Sequence, residues 1–220
     1  MILGGKIEAV TFDVGGTLIE PFPSVGHVYS QVAARHGVHV APEVLNTRFA
    51  AAWKSRKNFG HSISDWSGLV DATFAGLVDP MPSQTFFHEL FTEFTKPTAW
   101  RIFDDVIPCL ERLQDRKVRL AVISNWDERL RPLLHALNLA RFFEATIVSI
   151  ELGAPKPDPQ IFVTAAQQLH LEPSQILHIG DSLNEDVNCA RAAGFAAMLI
   201  AREKPPAENE QLSSLLQLCG

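Results

Sequence analysis

The chain has few cysteines, no long apolar run and no excess of positive charge, and each absence excludes a class of protein. Cys109, Cys189 and Cys219 lie far apart and form no C-x-x-C pair, which predicts free thiols in a reducing compartment. No apolar stretch approaches the roughly 20 residues that span a bilayer. Residues 1–6 do not join a basic region to a long apolar segment, so no signal peptide is predicted. We expect a cytoplasmic protein without a membrane partner.

Acidic residues outnumber basic ones, 25 to 19, and the net charge is −6. Binding to nucleic-acid phosphates needs a basic surface, so nucleic acid is not an expected partner. The 220 residues are 46% hydrophobic and 20% charged, which is ordinary for a globular protein with a sizeable core. Oligomeric state has no signal in the sequence.

Five apolar runs rich in β-branched residues predict strands buried on both faces, because their apolar residues are continuous and do not alternate. They are Ile7–Val14, Val118–Ser124, Ala145–Ile150, Ile176–Gly180 and Ala196–Ala201. Helical patterns accompany the last four runs, at Val106–Lys117, Asp127–Leu137, Asp158–Leu169 and Glu185–Ala193. Alternating strands and helices predict right-handed βαβ units, and therefore an α/β fold with a Rossmann-like parallel sheet.

The connection from the first strand to the second, Ile19 to Lys117, does not follow this alternation. Residues 20–102 predict an all-helical cap domain, inserted into a core domain of residues 1–19 and 103–220. Expected helix starts are Ser24 as a cap, Pro42 in a first turn, Ser64 or Asp65 as a cap, and a fourth helix over Phe86–Phe94. An insertion at this point would lie over the carboxyl edge of the sheet, where ligands bind in open α/β folds, and would act as a lid. Residues 202–209 predict a loop before a short final helix.

Polar side chains stand at or just after the ends of four of the predicted strands. In order they are Asp13, Ser124 with Asn125, Lys156 in "GAPKPDP", and Asp181 with Asp186 in "GDSLNED". Because the carboxyl ends of parallel strands meet at one edge of a sheet, we expect these side chains to converge there.

Each of these residues also has a simpler interpretation. Asp13 before Gly15-Gly16 could initiate a turn, Ser124 could cap the next helix, and Lys156 could be a solvated loop residue. Asp181 and Asp186 could cap the helix that follows them. The occurrence of a suitable residue type at four successive strand ends favours a joint site over four unrelated turns.

The joint site has a coherent chemistry. Carboxylate oxygens bind Mg²⁺, which takes one or two carboxylates together with substrate phosphate and water. A carboxylate can attack phosphorus and form an aspartyl phosphate. Ser124, Lys156 and backbone N–H groups would hold the phosphoryl oxygens, and glycines let the backbone approach them. The sequence therefore predicts a Mg²⁺ site and a small phosphorylated substrate.

These four motifs resemble those of the haloacid dehalogenase superfamily, in the branch with a helical cap inserted after the first motif (subfamily IA). "FDVGGT" is similar to its nucleophile loop, "VISN" to its Ser/Thr motif, "PKPDP" to its lysine motif and "GDSLNED" to its acidic metal motif. The stretches "LAVISNWDERL" and "ILHIGDSLNEDVNCARAAG" resemble the rhythmically-expressed-gene-two-like group. The likeness covers residues 7–200.

The resemblance implies a role for each matched position. Asp13 would be the nucleophile and a metal ligand, with the Gly15 carbonyl and Asp181 completing the protein ligands and Asp186 orienting the metal shell. The implied phosphate-binding residues are Gly16, Thr17, Ser124, Asn125 and Lys156. Among these, Lys156 would also be catalytic and Thr17 would steady the nucleophile loop.

The sequence departs from this family at Gly15. Phosphatases of the family usually carry a second aspartate there, which protonates the leaving group and then activates water. General acid–base catalysis contributes roughly 10²–10⁴-fold to a rate. Without the aspartate, turnover of ordinary alkyl phosphates is expected to be slower by about that factor. Dehalogenases of the family carry an aromatic residue there and need no metal, which does not suit a chain with Asp181 and Asp186.

Three hypotheses follow. The first is a Mg²⁺-dependent phosphatase that favours good leaving groups, such as acyl or aryl phosphates, or takes an acid from the cap, for instance His27 or His61. The second is a phosphonate hydrolase that forms a Schiff base on Lys54 or Lys57, although a solvated helix end is the favoured explanation of both lysines. The third is a phosphate- or metabolite-binding protein with little turnover.

Overall fold

The strands of the chain form one large sheet and one small one in the computed structural model, which describes residues 6–57, 59–202 and 211–219. In chain order they are β1 (Ala9–Phe12), β2 (Ile19–Pro21), β3 (Trp100–Ile102), β4 (Arg119–Ser124), β5 (Ala145–Val148), β6 (Ile176–Gly180), β7 (Ala196–Ile200) and β8 (Gln211–Leu212). The large sheet has the order β5-β4-β1-β6-β7-β8, and its neighbouring strands are parallel. The predicted Rossmann-like parallel sheet is confirmed.

Helices follow the strands of the large sheet and fill most of the connection between β2 and β3. The α-helices are α1 (Val25–Arg35), α2 (Pro42–Ser55), α3 (Ile63–Phe74), α4 (Phe87–Glu93), α5 (Val106–Asp115), α6 (Leu130–Ala136), α7 (Ser149–Leu152), α8 (Gln160–Leu169) and α9 (Cys189–Ala192). Short 3₁₀ helices lie at Pro82–Gln84, Pro97–Ala99, Ala140–Phe142, Pro173–Gln175 and Leu215–Leu218, and Leu183–Asn188 is π-helical. Within the described residues, none of these helices is both long and apolar enough to cross a membrane.

The chain divides into two compact units. The first comprises Met1–Ile19 and Ile102–Gly220 and contains the large sheet; the second is Glu20–Arg101. The second junction lies one residue before the sequence-based boundary, so that Ile102 belongs to the first unit. Residues 203–210, where a loop was predicted, lie outside the described residues.

The core of the first unit is built on strands that are buried on both faces. Every residue of β1 and β6 is buried, as expected for central parallel strands covered by helices. Helix α8 contributes Phe162, whose ring meets His178 edge-on at 4.9 Å and Phe195 at 5.4 Å between centroids. All three cysteines are buried free thiols. Strand β1 lies at the centre of this core, between β4 and β6.

Several predicted boundaries shift for identifiable reasons. Strand β5 ends at Val148, because Ser149 begins α7. Helix α6 begins at Leu130 and not at Asp127, since the Asp127 carboxylate accepts hydrogen bonds from the backbone and side chain of Arg129 instead of starting the helix. Strand β8 has two residues, which is too short for a recognisable apolar run.

The second unit is helical except where its ends pair in β2 and β3. The Phe22 N–H donates to the Ala99 carbonyl at 2.8 Å, and Arg101 forms an ion pair with Glu20. Its core is aromatic: the Tyr29 ring lies 5.9 Å from that of Phe74 and 5.8 Å from that of Phe49. Predicted starts at Ser24 and Pro42 are confirmed.

The predicted start of the third helix, at Ser64 or Asp65, is wrong. Ser62 is the N-cap of α3, and its hydroxyl accepts the Asp65 N–H at 3.1 Å. The Asp65 carboxylate in turn accepts the Ser62 N–H at 3.0 Å. This reciprocal capping box fixes the beginning of α3 two residues earlier than expected.

Replacing the true cap should destabilise the protein, and replacing the misassigned one should not. We expect Ser62→Ala to lower the free energy of unfolding by about 1 kcal/mol, because the Asp65 N–H loses its acceptor. The matched change Ser64→Ala, at an exposed position inside α3, should leave it within about 0.5 kcal/mol. Urea unfolding of the full chain measures both. A larger loss in Ser64→Ala than in Ser62→Ala would contradict the assignment.

Candidate active site

Sheet register brings three of the predicted site residues to one edge. Phe12 is aligned with Val122 on one side and with Ile179 on the other. Asp13 follows β1, and its N–H donates to the Ile179 carbonyl at 2.9 Å. The carboxyl ends of β1, β4 and β6 therefore present Asp13, Ser124 and Asp181 side by side.

Asp13 is held by a hydroxyl and an ammonium that act on the same oxygen. Ser124 Oγ donates to Asp13 Oδ1 at 3.0 Å, and Lys156 Nζ donates to it at 2.8 Å. Among the described residues, no hydrogen bond engages Asp13 Oδ2. Asp13 is 7% exposed and Ser124 is 1% exposed, so the simpler interpretations of a solvated turn and a helix cap do not fit.

Lys156 lies between two carboxylates, and all three of its N–H groups have acceptors. Besides Asp13, its Nζ donates to Asp186 Oδ1 at 2.5 Å and to the Ile123 carbonyl at 3.2 Å. The residue is 4% exposed, which excludes the solvated loop lysine considered from the sequence. A buried ammonium in this position neutralises part of the charge of the carboxylates.

Asp186 is oriented from behind by a buried histidine. His178 Nε2 lies 3.2 Å from Asp186 Oδ1, and His178 Nδ1 lies 2.9 Å from Thr11 Oγ1. A carboxylate only accepts hydrogen bonds, so we assign the ring proton to Nε2 and the hydroxyl proton of Thr11 to the bond with Nδ1. The second Asp186 oxygen accepts the Ser182 N–H at 2.9 Å. Three donors thus fix this carboxylate.

Two glycines make room for the acidic side chains. A Cβ at Gly180 would lie 2.1 Å from Asp186 Cγ, and a Cβ at Gly16 would lie 2.4 Å from Asp181 Oδ2. Gly16 also has φ +76°, in the left-handed region that glycine adopts most readily. Side chains at either position would displace the carboxylates.

Asp13, Asp181 and Asp186 form an acidic cluster that could hold a metal ion. One oxygen from each carboxylate lies within 4.8 Å of the others. Within the described residues, no ion pair engages Asp181, whereas Asp13 and Asp186 share Lys156. Oxygen donors of this kind suit a hard divalent cation.

The electrostatics of the cluster follow from burial and from the single ammonium. Burial raises the pKa of Asp13, and the charge of Lys156 only partly opposes this. Burial alone would lower the pKa of Lys156, but Asp13 and Asp186 outweigh it and raise that pKa. For Asp186, burial would raise the pKa, but Lys156 and the hydrogen bond from His178 outweigh it and lower the pKa. Lys156 and Asp186 therefore remain ionised.

Asp181 is the carboxylate of the cluster that Lys156 does not pair with. The residue as a whole is exposed, but its carboxylate leans against the backbone of Gly16 and is partly shielded from water. This desolvation, together with the charges of Asp13 and Asp186, raises the pKa of Asp181 to about 7. A cation beside these oxygens would relieve the repulsion.

Asn125, predicted to bind phosphate, instead holds the lysine loop. Its Oδ1 accepts the Lys156 N–H at 2.7 Å, and its Nδ2 donates to the Lys156 carbonyl at 2.8 Å. Nδ2 also lies 3.3 Å from Glu185 Oε2. These contacts use both ends of the amide and position the Lys156 backbone. Phosphate binding by Asn125 stays a prediction.

Thr17 lies on the nucleophile loop with its backbone tied to a distant arginine. The Thr17 carbonyl accepts a hydrogen bond from Arg202 Nη2 at 2.5 Å, and Arg202 Nη1 is bound by both oxygens of Asp105. The Thr17 hydroxyl is buried and has no hydrogen-bond partner among the described residues. The hydroxyl is thus a buried polar group without a partner in the described part of the chain, on a loop that Arg202 anchors.

Gly15 faces a tryptophan that the sequence analysis did not single out. A Cβ at Gly15 would lie 3.3 Å from Trp126 Cζ3, a distance that forces the ring to shift. The edge of an indole therefore lies beside position 15.

Two more residues near the site escaped sequence reasoning, for different reasons. His178 is a polar residue that interrupts the apolar run "ILHIG", and this interruption could have marked the residue in the sequence. Arg202 is remote in sequence from Thr17, and no local pattern connects them. Long-range contacts of this kind arise from the fold alone.

The residues of the insertion that the sequence singled out all lie in the second unit. Lys54 and Lys57 are exposed, which does not match the dry pocket that a Schiff-base lysine needs. His27 Nδ1 lies 2.8 Å from Ser24 Oγ at the start of α1, and His61 is buried. Neither observation assigns a catalytic role to these histidines.

A parallel α/β fold with a buried lysine and an acidic cluster at the carboxyl edge defines a hydrolase-type site. A model of the haloacid dehalogenase-like hydrolases matches residues 7–194. The chain belongs to this family of hydrolases, as its motifs predicted.

Relatives and solved structures agree with this assignment. The chain is 33% identical to human haloacid dehalogenase-like hydrolase domain-containing protein 3, covering 89% of this chain and 82% of that protein. It is 29% identical to the Rhythmically expressed gene 2 protein of Drosophila melanogaster, covering 89% and 83%, which confirms the resemblance to that group. It is also 30% identical to the glyceraldehyde 3-phosphate phosphatase of Methanopyrus kandleri, covering 90% and 85%. The crystal structure of a HAD phosphatase from Thermococcus onnurineus aligns with a TM-score of 0.70 and 25% identity, covering 96% of each chain.

The raised pKa of Asp181 predicts a pH-dependent gain in stability when its charge is removed. In the folded metal-free protein Asp181 keeps its proton up to about pH 7, whereas an unfolded aspartate loses it near pH 4. The folded state binds more protons in that window, so its stability falls as pH rises through it. Asp181→Asn should therefore raise the free energy of unfolding by about 1 kcal/mol at pH 8, after allowance for solvent screening, and change little at pH 4.

The measurement is urea unfolding with a chelator present. Asp104→Asn, at an exposed acid of the same unit, serves as the control and should show no such pH dependence. An Asp181→Asn protein that is less stable than wild type at pH 8 would contradict the electrostatic account.

Proposed function

We propose that this hydrolase is a Mg²⁺-dependent phosphatase that acts on a small phosphorylated metabolite through an aspartyl phosphate on Asp13. The observation that carries the proposal is the buried Asp13 carboxylate, one oxygen of which is held by both Ser124 and Lys156. These donors fix the carboxylate and can equally bind phosphoryl oxygens. The likeness to two proteins whose names describe phosphatases supports the same reaction.

The acidic cluster fits Mg²⁺. Three carboxylates offer hard oxygens within 4.8 Å of one another, and Lys156 leaves part of their charge unbalanced. Asp13, the Gly15 carbonyl and Asp181 would hold the ion. Asp186, whose oxygens already accept three hydrogen bonds, would orient this set. Bound Mg²⁺ would offset the repulsion between the carboxylates and the phosphate and polarise the phosphoryl oxygens.

In the first step the Asp13 carboxylate attacks phosphorus. Oδ2 is the reacting oxygen in this proposal, because Oδ1 is occupied by Ser124 and Lys156. An Asp13 oxygen–phosphorus bond forms, and the bond from phosphorus to the leaving oxygen breaks with its electron pair. Lys156, Ser124 and the Thr17 hydroxyl are the donors that would stabilise the charge of the phosphoryl oxygens in the transition state.

In the second step water attacks the aspartyl phosphate. A water oxygen–phosphorus bond forms, the bond to Asp13 breaks, and inorganic phosphate leaves. Gly15 can neither protonate the leaving group nor take a proton from the water, so both protons are exchanged with solvent. This favours substrates whose leaving group departs without protonation, such as acyl and aryl phosphates.

The same glycine favours a second candidate function. A phosphate- or metabolite-binding protein with little turnover would keep Lys156, Ser124 and the acidic cluster and would not need an acid at position 15. A phosphonate hydrolase is not supported, since Lys54 and Lys57 are exposed. In either supported case we expect a small phosphorylated ligand in a reducing, cytoplasmic environment, which suits the three free thiols.

Removing the nucleophile should abolish turnover. With Mg²⁺ and a panel of acyl, aryl and alkyl phosphates, we expect wild type to hydrolyse acyl and aryl phosphates weakly. Asp13→Asn should lower kcat by roughly 10⁴-fold or more, because an amide does not attack phosphorus. Asp104→Asn is the matched control and should retain activity. Activity that survives in Asp13→Asn would overturn the assignment of Asp13, and a wild type that binds phosphate but is inactive would favour the binding protein.

Loss of the metal ion should abolish hydrolysis, and loss of the Asp181 carboxylate should weaken binding of the ion. We expect a chelator to abolish hydrolysis and added Mg²⁺ to restore it. Calorimetric titration with Mg²⁺ should show binding to wild type and at least about tenfold weaker binding to Asp181→Asn, since one carboxylate ligand is lost. Asp104→Asn should bind like wild type. Equal affinity in Asp181→Asn and wild type would place the ion elsewhere.

A further inference from the structure

Trp126 stands against the position from which the usual acid is missing. A Cβ added to Gly15 would approach Trp126 Cζ3 to 3.3 Å and Cη2 to 4.0 Å. An aspartate there would place its Cβ against the edge of the indole, so that the ring would have to shift by a few tenths of an ångström to admit it. Gly15 and Trp126 are therefore complementary, because the absence of a side chain at one position makes room for the large ring at the other.

The backbone of Trp126 is fixed from the other side. Its N–H donates to Ser149 Oγ at 3.1 Å, and its carbonyl accepts hydrogen bonds from Ser149 Oγ and from the Ile150 N–H, both at 3.2 Å. Ser149 is 1% exposed and begins α7. These bonds tie the loop after β4 to the start of α7 and fix the backbone from which the ring projects.

The ring also contacts the loop that carries the proposed nucleophile. Trp126 lies two residues after Ser124, which bonds Asp13, and it contacts the position two residues after Asp13. The tryptophan is half-buried, so part of it is accessible at the carboxyl edge of the sheet. Under the proposed function, a phosphate ester attacked by Asp13 would have its leaving group near the loop that Trp126 contacts.

We infer, on the basis of the proposed function, that the Trp126 indole lies where the missing acid would lie and selects substrates with a planar aromatic leaving group. Aromatic rings pair favourably with an indole in stacked or edge-to-face geometry. A phenolate departs with the electron pair of the broken phosphorus–oxygen bond without prior protonation and is protonated by water afterwards. The ring and the glycine therefore favour the same substrate class, the aryl phosphates, over alkyl phosphates.

Binding of phenylphosphonate, an aryl ligand that cannot lose its ring by hydrolysis, tests this inference without turnover. Calorimetry in the presence of Mg²⁺ compares it with inorganic phosphate for wild type, Trp126→Leu and Trp126→Phe. We expect Trp126→Leu to weaken phenylphosphonate by about five- to tenfold, and the aromatic replacement Trp126→Phe to weaken it by no more than about twofold. Inorganic phosphate should bind all three proteins equally.

Other outcomes would overturn the inference. An unchanged affinity of Trp126→Leu for phenylphosphonate, or an equal loss of affinity for both ligands, would show that the ring does not receive the leaving group. Phosphate binding without any hydrolysis would count against the phosphatase, while the ratio of the two affinities would still decide the role of Trp126. A wild type that binds neither ligand would overturn both.

A second pair of variants tests whether Trp126 occludes the acid position. Gly15→Asp alone should not increase hydrolysis of an alkyl phosphate such as glycerol phosphate, because the indole blocks the new carboxyl group. Gly15→Asp combined with Trp126→Ala should increase it at least about tenfold over wild type, the lower part of the range for general acid catalysis. An equal gain in the single variant would overturn the occlusion. Circular dichroism checks that each variant is folded, and the binding comparison decides the inference if the double variant is not.

Discussion

The buried ammonium of Lys156 is the interaction on which the site depends. It bonds Asp13 and Asp186 at once, at 2.8 and 2.5 Å, with all three side chains largely removed from water. Two carboxylates this close would repel each other strongly in a medium of low polarity, and removal of one partner from such a buried set typically costs about 3–5 kcal/mol. The lysine therefore allows Asp13 and Asp186 to share one edge of the sheet. In the proposed reaction the same charge would bind the phosphate.

Support for that ammonium comes from three directions. Asn125 holds the backbone of Lys156 through both ends of its amide, His178 and the Ser182 N–H hold Asp186, and Ser124 holds Asp13. Glycines keep space for these carboxylates, since a Cβ at Gly180 would lie 2.1 Å from Asp186 Cγ. The cluster is thus pre-organised before any ligand binds, which is the condition for electrostatic stabilisation of a transition state without reorganisation.

Position 15 brings the loop after β1 against the segment that follows β4. A Cβ at Gly15 would lie 3.3 Å from Trp126 Cζ3, so a larger residue would press on the edge of the indole. The backbone of Trp126 is held in turn by Ser149 at the start of α7. The proposed preference for aryl leaving groups therefore rests on both segments and not on the loss of an acid alone.

The sequence by itself determined the parallel α/β fold, the order of its motifs and the identity of the residues at the strand ends. It could do so because continuous apolar runs and helix caps are local patterns, and because parallel strands place their carboxyl ends at one edge. Only the tertiary structure determined which side chains contact one another. It tied Thr17 to Arg202, placed His178 behind Asp186, turned the Asn125 amide toward Lys156 and set Trp126 against Gly15. Three of these contacts join segments far apart in the chain, and the fourth joins His178 in β6 to Asp186 in the π-helical turn that follows it. Only packing and sheet register determine which of these side chains meet.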